Sequence, residues 1–275
     1  MQATPLLDFT ERRLSAESAD RFWLYIQAVQ DPATVAGFVE QLYRQRRGRR
    51  PMHLHEDFCG TAINCVQWLR NNPEGTATGL DVDGTALQWC RDHLLAELPA
   101  ETSARLTLVE ADVRRSFGQA ADVILALNSS FCVFKRRREL VEYLRRCRRR
   151  LNPGGFVTLE VYAGPEAQMV GFDRIKCDGF TAVWEQASFN AVSHETIAHI
   201  HFSFPDGTRL ERAFTYDYRL WSPPELMEAL DEVGFVRTET YCLNDEPLVT
   251  RVSGRCPCRE VTVPDHWNAY VVGWG

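Results

Sequence analysis

Apolar and polar positions follow two alternating rhythms as far as Glu160 and a third one beyond it. Short, nearly continuous apolar runs at Thr78-Gly-Leu-Asp-Val-Asp83, Leu108-Val-Glu-Ala-Asp-Val113, Asp122-Val-Ile-Leu-Ala-Leu-Asn128 and Leu151-Asn-Pro-Gly-Gly-Phe-Val-Thr-Leu-Glu160 read as strands. An earlier run, His53-Leu-His-Glu-Asp-Phe-Cys-Gly-Thr-Ala62, belongs with them: a short apolar lead-in and an acidic pair pass through a small-residue turn into a helical pattern. Between the runs the spacing is helical, over residues 61–69, 84–95 and 136–151, and Asn152-Pro-Gly-Gly stops the last helix and turns the chain into a strand. Helices are also predicted over 19–30 and 33–44, with Asp31-Pro32 as cap and first-turn proline. This alternation predicts an α/β fold with a parallel, doubly wound sheet.

The later rhythm has period two. Residues 180–190, 195–204 and 208–220 read as antiparallel strands, with Pro205-Asp-Gly207 as a tight hairpin. A helix over 223–233 follows, capped by Ser222 with Glu225 three residues on, and 235–242 and 267–273 read as the last two strands. The expected organisation is one domain over 1–275: a helical cap (1–50), a strand–helix half (51–162), a β-meander insertion after strand five (178–221), and a final helix with two strands (222–275).

Composition is that of an ordinary soluble domain, with 45% hydrophobic and 25% charged residues. The stretch Met1 to Arg13 lacks an apolar signal region and no run approaches membrane length, so a cytoplasmic protein without a membrane partner is expected. Nine cysteines, an odd number, argue for reduced thiols. Arginine runs at 44–50, 135–138 and 145–150 raise the question of nucleic acid, yet the net charge is −6 and the runs lack interleaved aromatics, so they read as solvated faces.

The turn after the first run is where a nucleotide-like cofactor fits, because a strand-to-helix junction presents unpaired N–H groups and Gly60 lets the backbone approach a ligand. With the other strand ends, this turn resembles the class I S-adenosylmethionine-dependent methyltransferases, of a small-molecule type whose loop reads EDFCGTA, over Asp20 to Trp274. The resemblance implies a seven-stranded Rossmann-like sheet and S-adenosyl-L-methionine as cofactor, with S-adenosyl-L-homocysteine as product. It places the first-strand acid on Glu56 and the loop on Phe58, Cys59, Gly60 and Thr61. The ribose acid falls on Asp81, beside Val82, the adenine-contacting acid on Asp112, beside Val113, and the mouth of strand four on Asn128 and Ser129. Phe58 and Ala62 stand where glycines are usual. A dinucleotide enzyme is the nearest competitor, but no G-x-G-x-x-G occurs, and the Glu56-Asp57 pair would repel a pyrophosphate while suiting a cofactor with a free ammonium.

The chemistry implied is in-line displacement at a sulfonium methyl, in which positioning supplies most of the help and a nearby base removes a proton where the nucleophile carries one. His201 and Tyr218 are the catalytic candidates, and Tyr25, Phe131, His199 and Arg219 the acceptor contacts. His199 and His201 share one strand face, which could point into a cavity or be a solvated or internally bonded surface. Asn128-Ser-Ser-Phe131 parallels the Asn-Pro-Pro-Tyr/Phe motif of amine-methylating enzymes without its prolines. No metal site is expected: Cys256-Pro-Cys258 with His266 and Cys242 lacks paired C-x-x-C spacing. The expected function is methyl transfer to an N, O or S nucleophile of a small molecule, and a homodimer stays open as an assembly. The alternatives are methylation of RNA or protein, and a catalytically silent cofactor-binding partner or sensor.

Overall fold

The computed structural model describes residues 14–115, 119–243 and 267–275. Five strands form the parallel part of the main sheet: β1 (His53–Asp57), β2 (Thr76–Asp81), β3 (Leu106–Glu110), β4 (Ala121–Ala126) and β5 (Leu151–Ala163). With β10 (Arg237–Leu243) and β11 (Trp267–Trp274) the order is β10-β11-β5-β4-β1-β2-β3. The sheet is mixed, since β11 runs antiparallel to both β5 and β10. Every residue of β4 is buried, which is why its sequence is a continuous apolar run. The chain moves outward from β1 in one direction through β2 and β3, and in the other through β4 and β5. The carboxyl ends of β1 and β4 therefore flank the switch point, where open α/β sheets leave a crevice.

Helix α1 (Arg21–Val29) begins at Asp20, whose side chain accepts the N–H of Phe22 at 2.8 Å. Helix α2 (Pro32–Arg47) is capped by Asp31 and ends at Gly48, left-handed with φ 69°, so it outlasts the predicted end by three residues, from Arg44 to Arg47. Helix α3 (Ile63–Asn71) follows the loop after β1. The helix predicted over 84–95 divides into α4 (Gly84–Trp89) and a π-helical turn, Cys90–Leu95, and a short α5 (Ala100–Ser103) follows. Helix α6 (Arg137–Arg150) precedes β5, and α7 (Pro223–Glu232) carries the anticipated capping box of Ser222 and Glu225. Leu42, Leu54, Ile63 and Leu69 pack on one face of the sheet, and Leu140, Leu144, Leu159 and Leu226 on the other.

The insertion is a second antiparallel sheet of four strands, in the order β6 (Gly171–Cys177), β7 (Phe180–Asn190), β8 (Glu195–Ser203) and β9 (Arg209–Arg219). Strand β6, ahead of the predicted meander, has no sequence signal because it is an edge strand with five consecutive exposed residues, Phe172 among them. Leu24 of α1 seals the inner face with Phe180, Ile200, Phe202 and Phe204. Cys59, Cys65, Cys90, Cys132, Cys147 and Cys177 are free thiols; Cys256, Cys258 and His266 lie outside the described residues.

A buried charge ties β1 to α6. Asp57 is fully buried, and burial alone would raise its acid, but the Arg150 guanidinium overrides this and holds Asp57 well below the usual carboxylate range. Arg150 donates from Nη2 at 2.5 Å and Nη1 at 3.1 Å, and the Tyr143 hydroxyl donates at 2.9 Å. Arg150 is 6% exposed, so the last residue of an arginine run read as a solvated face turns inward. Removing one partner of a buried pair leaves an uncompensated charge, so Arg150→Met is expected to lose about 3–5 kcal/mol. Urea denaturation checks it. A loss below about 1 kcal/mol would put the pair on the scale of surface ion pairs.

Candidate active site

The loop after β1 is built from alternating left-handed residues: Phe58 (φ 59°), Gly60 (φ 53°) and Ala62 (φ 54°). Phe58 and Ala62, the two departures from glycine, therefore hold a conformation glycine prefers, at about 1–2 kcal/mol each. Packing offsets this strain. The Phe58 ring meets Tyr143 and Phe134 at centroid distances of 5.8 and 6.0 Å. Gly79 lets the loop sit on β2, since a Cβ there would lie 3.0 Å from Cys59 Sγ and 3.2 Å from Ala62 Cβ. A Cβ on Gly60 would meet nothing within 4 Å, so the loop keeps one open side. The Gly60 N–H donates to Asp81 Oδ2 at 2.7 Å, fastening loop to strand end.

Four strand ends bring their polar residues to one edge. Glu56 on β1 is buried; Asn64 Nδ2 donates to it at 2.6 Å and the Cys65 thiol at 3.3 Å. Burial pushes the Glu56 acid up to about 7, against those donors and with a contribution from Asp81. Asn64 Oδ1 is buried without a partner. Burial likewise raises Asp81, which also accepts the Asp83 N–H at 2.9 Å. Beyond β3, Arg114 holds Asp112 below its ordinary value through bonds of 2.5 and 2.9 Å. Val113 is buried, whereas Val82 is 66% exposed. Beyond β4, Asn128 and Ser129 are both left-handed, and the Asn128 N–H donates to Glu160 Oε2 at 2.9 Å. Of the acidic pair expected to act together, only Glu56 bears on the loop, because Arg150 neutralises Asp57.

Helix α1 bridges the helix after β2 and the small sheet: Trp89 Nε1 donates to Asp20, and Phe22 lies between Trp89 and Phe214, at 6.0 and 6.1 Å. Tyr25 is hydrogen-bonded to Tyr216, and its hydroxyl is pushed up to about 12 by burial, with Glu160 adding to the rise. The rings of Tyr216 and Tyr218 are tilted against each other, with centroids 5.1 Å apart. Phe131 is fully buried in the cluster that includes Tyr218.

The two catalytic candidates lie on opposite faces of the small sheet. Tyr218 is in register with Thr196 on β8, so it shares the face of Ala198 and Ile200, while His199 and His201 project from the other. One cavity is thus not bordered by both. His201 is occupied within its own face, by Glu211 at Nδ1 and by Glu185 at Nε2 (2.9 Å), and His199 Nδ1 meets Thr215 Oγ1 at 2.9 Å. Arg219 is also engaged internally: it donates to the Lys135 carbonyl at 3.2 Å and to Glu225 at 3.3 Å, and lies 3.8 Å over the Trp221 ring. The residue missed is Glu160, whose one signal was the acid closing the fifth apolar run.

Residues 59–157 match the family model described as a methyltransferase domain. No curated protein matches the sequence. The sugar N-methyltransferase KedS8 from Streptoalloteichus sp ATCC 53650 is structurally similar at a TM-score of 0.62 and 19% identity, over 100% of this chain and 98% of that one. DesVI of Streptomyces venezuelae gives a TM-score of 0.64 at 20% identity, over 92% and 95% of the two chains. The CcbJ methyltransferase from Streptomyces caelestis gives 0.66 at 17%, over 89% of each. The fold is accordingly the Rossmann-like methyltransferase fold.

The raised Glu56 acid makes a stability prediction. The folded state holds this proton until pH 7 while the unfolded chain releases it near 4.5, so the contribution is present below the lower value and is lost as pH rises through the higher. Glu56→Gln should therefore be more stable than the parent at pH 8, by on the order of 2–3 kcal/mol, with most of the gain gone at pH 5. Urea midpoints at the two pH values decide it; equal midpoints at both would mean that Glu56 ionises freely.

Proposed function

We propose that the chain, whose residues 59–157 match a methyltransferase domain, is an S-adenosylmethionine-dependent methyltransferase that methylates a nucleophile on a small molecule. The observation that carries the cofactor site is the Asp81 carboxylate fastened to the open-sided Gly60 loop, with the unpartnered Asn64 Oδ1 beside Glu56. These residues fit the cofactor. Glu56 and Asn64 Oδ1 offer acceptors to an ammonium, and the loop from Phe58 through Cys59 and Gly60 to Thr61 receives the chain that carries it. Asp81 would take the ribose hydroxyls and Asp112, with Val113 next to it in sequence and Val82 at the same edge, the adenine, while Asn128 and Ser129 would close the β4 end.

The bound cofactor supplies a methyl group on a cationic sulfur. The protein's part is to orient the nucleophile behind that methyl and keep water out, which Tyr25 of α1 and Tyr218 on the inner face of the small sheet can do. Tyr218 is the orienting group we retain. His201, on the outer face, serves the sheet.

The small-molecule reading gains support from similar proteins named as sugar and amino pentose methyltransferases. The arginine runs add to it, because their cations are largely paired: Arg145 and Arg146 with Glu142, Arg137 with Glu232, Arg46 with Glu239 and Arg49 with Asp122.

Two measurements test the function. In calorimetry Asp81→Ala should weaken S-adenosylmethionine roughly tenfold to 150-fold, since a hydrogen bond to a charged group contributes about 1.5–3 kcal/mol. With labelled cofactor and cell extract, label should enter small metabolites. Unchanged affinity in a folded Asp81→Ala, or label confined to RNA or protein, would count against the reading.

A further inference from the structure

At the carboxyl end of β5, Glu160 stands in register with Tyr270 of β11, beside the left-handed turn of Asn128 and Ser129. One oxygen, Oε2, accepts the Asn128 N–H. The charge of Glu160 is felt on two sides, by the Tyr25 hydroxyl of α1 and by the Tyr270 hydroxyl, and Asp31 acts on Tyr270 as well. Glu160 and Asp31 thus both act on the Tyr270 phenol, which stands in strand register with Glu160. Asp31 spends Oδ1 on the Thr34 N–H, 3.1 Å away, while its Oδ2 and the Oε1 of the adjoining Gln30 are buried without a partner. No lysine or arginine among the described residues forms an ion pair with either carboxylate; the nearest compensation for Glu160 is a neutral backbone N–H.

The junction of α1 with α2, the end of β5 and β11 therefore bring together two carboxylates and the Gln30 amide oxygen with no cation paired to them, beside Tyr25 of the acceptor side. Uncompensated acceptors in a partly buried place favour a cationic guest that brings its own N–H donors. A neutral hydroxyl would leave the negative charge unbalanced, and an anionic acceptor would be repelled.

We propose that Glu160, with Asp31 and Gln30, receives a protonated amino group of the acceptor, and that Glu160 takes one proton from it, so that the substrate class is a small amine. The proposal rests on the methyltransferase reading above and deepens it. The acceptor enters as R–NH3+ beside the Glu160 carboxylate. One proton passes to Glu160, giving R–NH2 and a neutral carboxyl. The freed nitrogen lone pair forms the N–CH3 bond while the S–CH3 bond breaks and its electron pair stays on sulfur. The product leaves as R–NH2–CH3+, and Glu160 returns its proton to solvent. Burial raises the Glu160 acid, which brings its basicity closer to that of an amine.

Two readouts test this. The first is binding without turnover: cyclohexylamine should raise the melting temperature of the protein loaded with S-adenosylhomocysteine, and cyclohexanol should not. Glu160→Gln, which keeps an oxygen for the Asn128 N–H, should weaken the amine tenfold or more while leaving S-adenosylhomocysteine affinity unchanged. The second is the chemical class of the labelled product from extract, which cation exchange at pH 5 should retain as a methylated amine. Its formation should fall on the order of 10²-fold in Glu160→Gln, with the fall in rate on the acid side of the pH profile removed. Equal stabilisation by amine and alcohol, undiminished amine binding in Glu160→Gln, or label in unretained neutral compounds would overturn the proposal and leave the methyltransferase reading standing. Cofactor binding with no label in any fraction would overturn both.

Discussion

The structure depends on a carboxylate that cannot reach water. Asp57 closes the central strand, and its neutralisation by Arg150 fixes the distance between β1 and the last turn of α6. A buried ion pair costs desolvation on both sides, so its geometry must be good to be tolerated, and here the Tyr143 hydroxyl and His55, 3.0 Å away, complete the carboxylate's partners. Because Asp57 is followed at once by the left-handed loop, the pair also sets where Phe58 to Ala62 begin. Phe58 then packs on the same Tyr143 that donates to Asp57, so one cluster holds both the charge and the strained backbone.

The opposite face of the same strand has the complementary problem. Glu56 has donors but no cation, and its acid rises to about 7, where Asp57, with a cation, stays ionised. Adjacent residues of one strand point to opposite faces, so two acids differing by one position serve two purposes: Asp57 holds the scaffold and Glu56 keeps an unmet demand for positive charge at the edge of the sheet. Glu160, at the end of β5, repeats the second pattern further along that edge. A sulfonium donor with a free ammonium and a protonated amine would each satisfy one of these demands.

Much of this architecture was legible because the central parallel strands are buried on both faces and leave nearly continuous apolar runs, as β4 does. Strand parity was legible as well: His199 with His201, and Tyr216 with Tyr218, share faces as their spacing requires. The relation between those pairs was not, because it depends on the register of β8 against β9, Thr196 facing Tyr218 and Ala198 facing Tyr216. Arg150 was hidden inside an arginine run, although it continues the buried stripe of Tyr143 and Cys147 at helical spacing, which marks it as inward-facing. Edge strand β6 gave no signal because five consecutive residues, Phe172 to Lys176, are exposed whichever face they project from. Glu160 could be seen as an acid at a strand end, but its surroundings come from residues as far apart as Tyr25 and Tyr270, which no local pattern joins.

The most direct measurement of the central claim, that the edge formed by β4, β1, β2 and β3 is a cofactor site set by the Asp57 anchor, is a crystal structure with S-adenosylhomocysteine bound. The account predicts ribose hydroxyls on Asp81, the amino end beside Glu56 and Asn64, and an undisturbed Asp57–Arg150 pair behind the loop. An adenosyl group bound away from Asp81 and the Gly60 loop would contradict it.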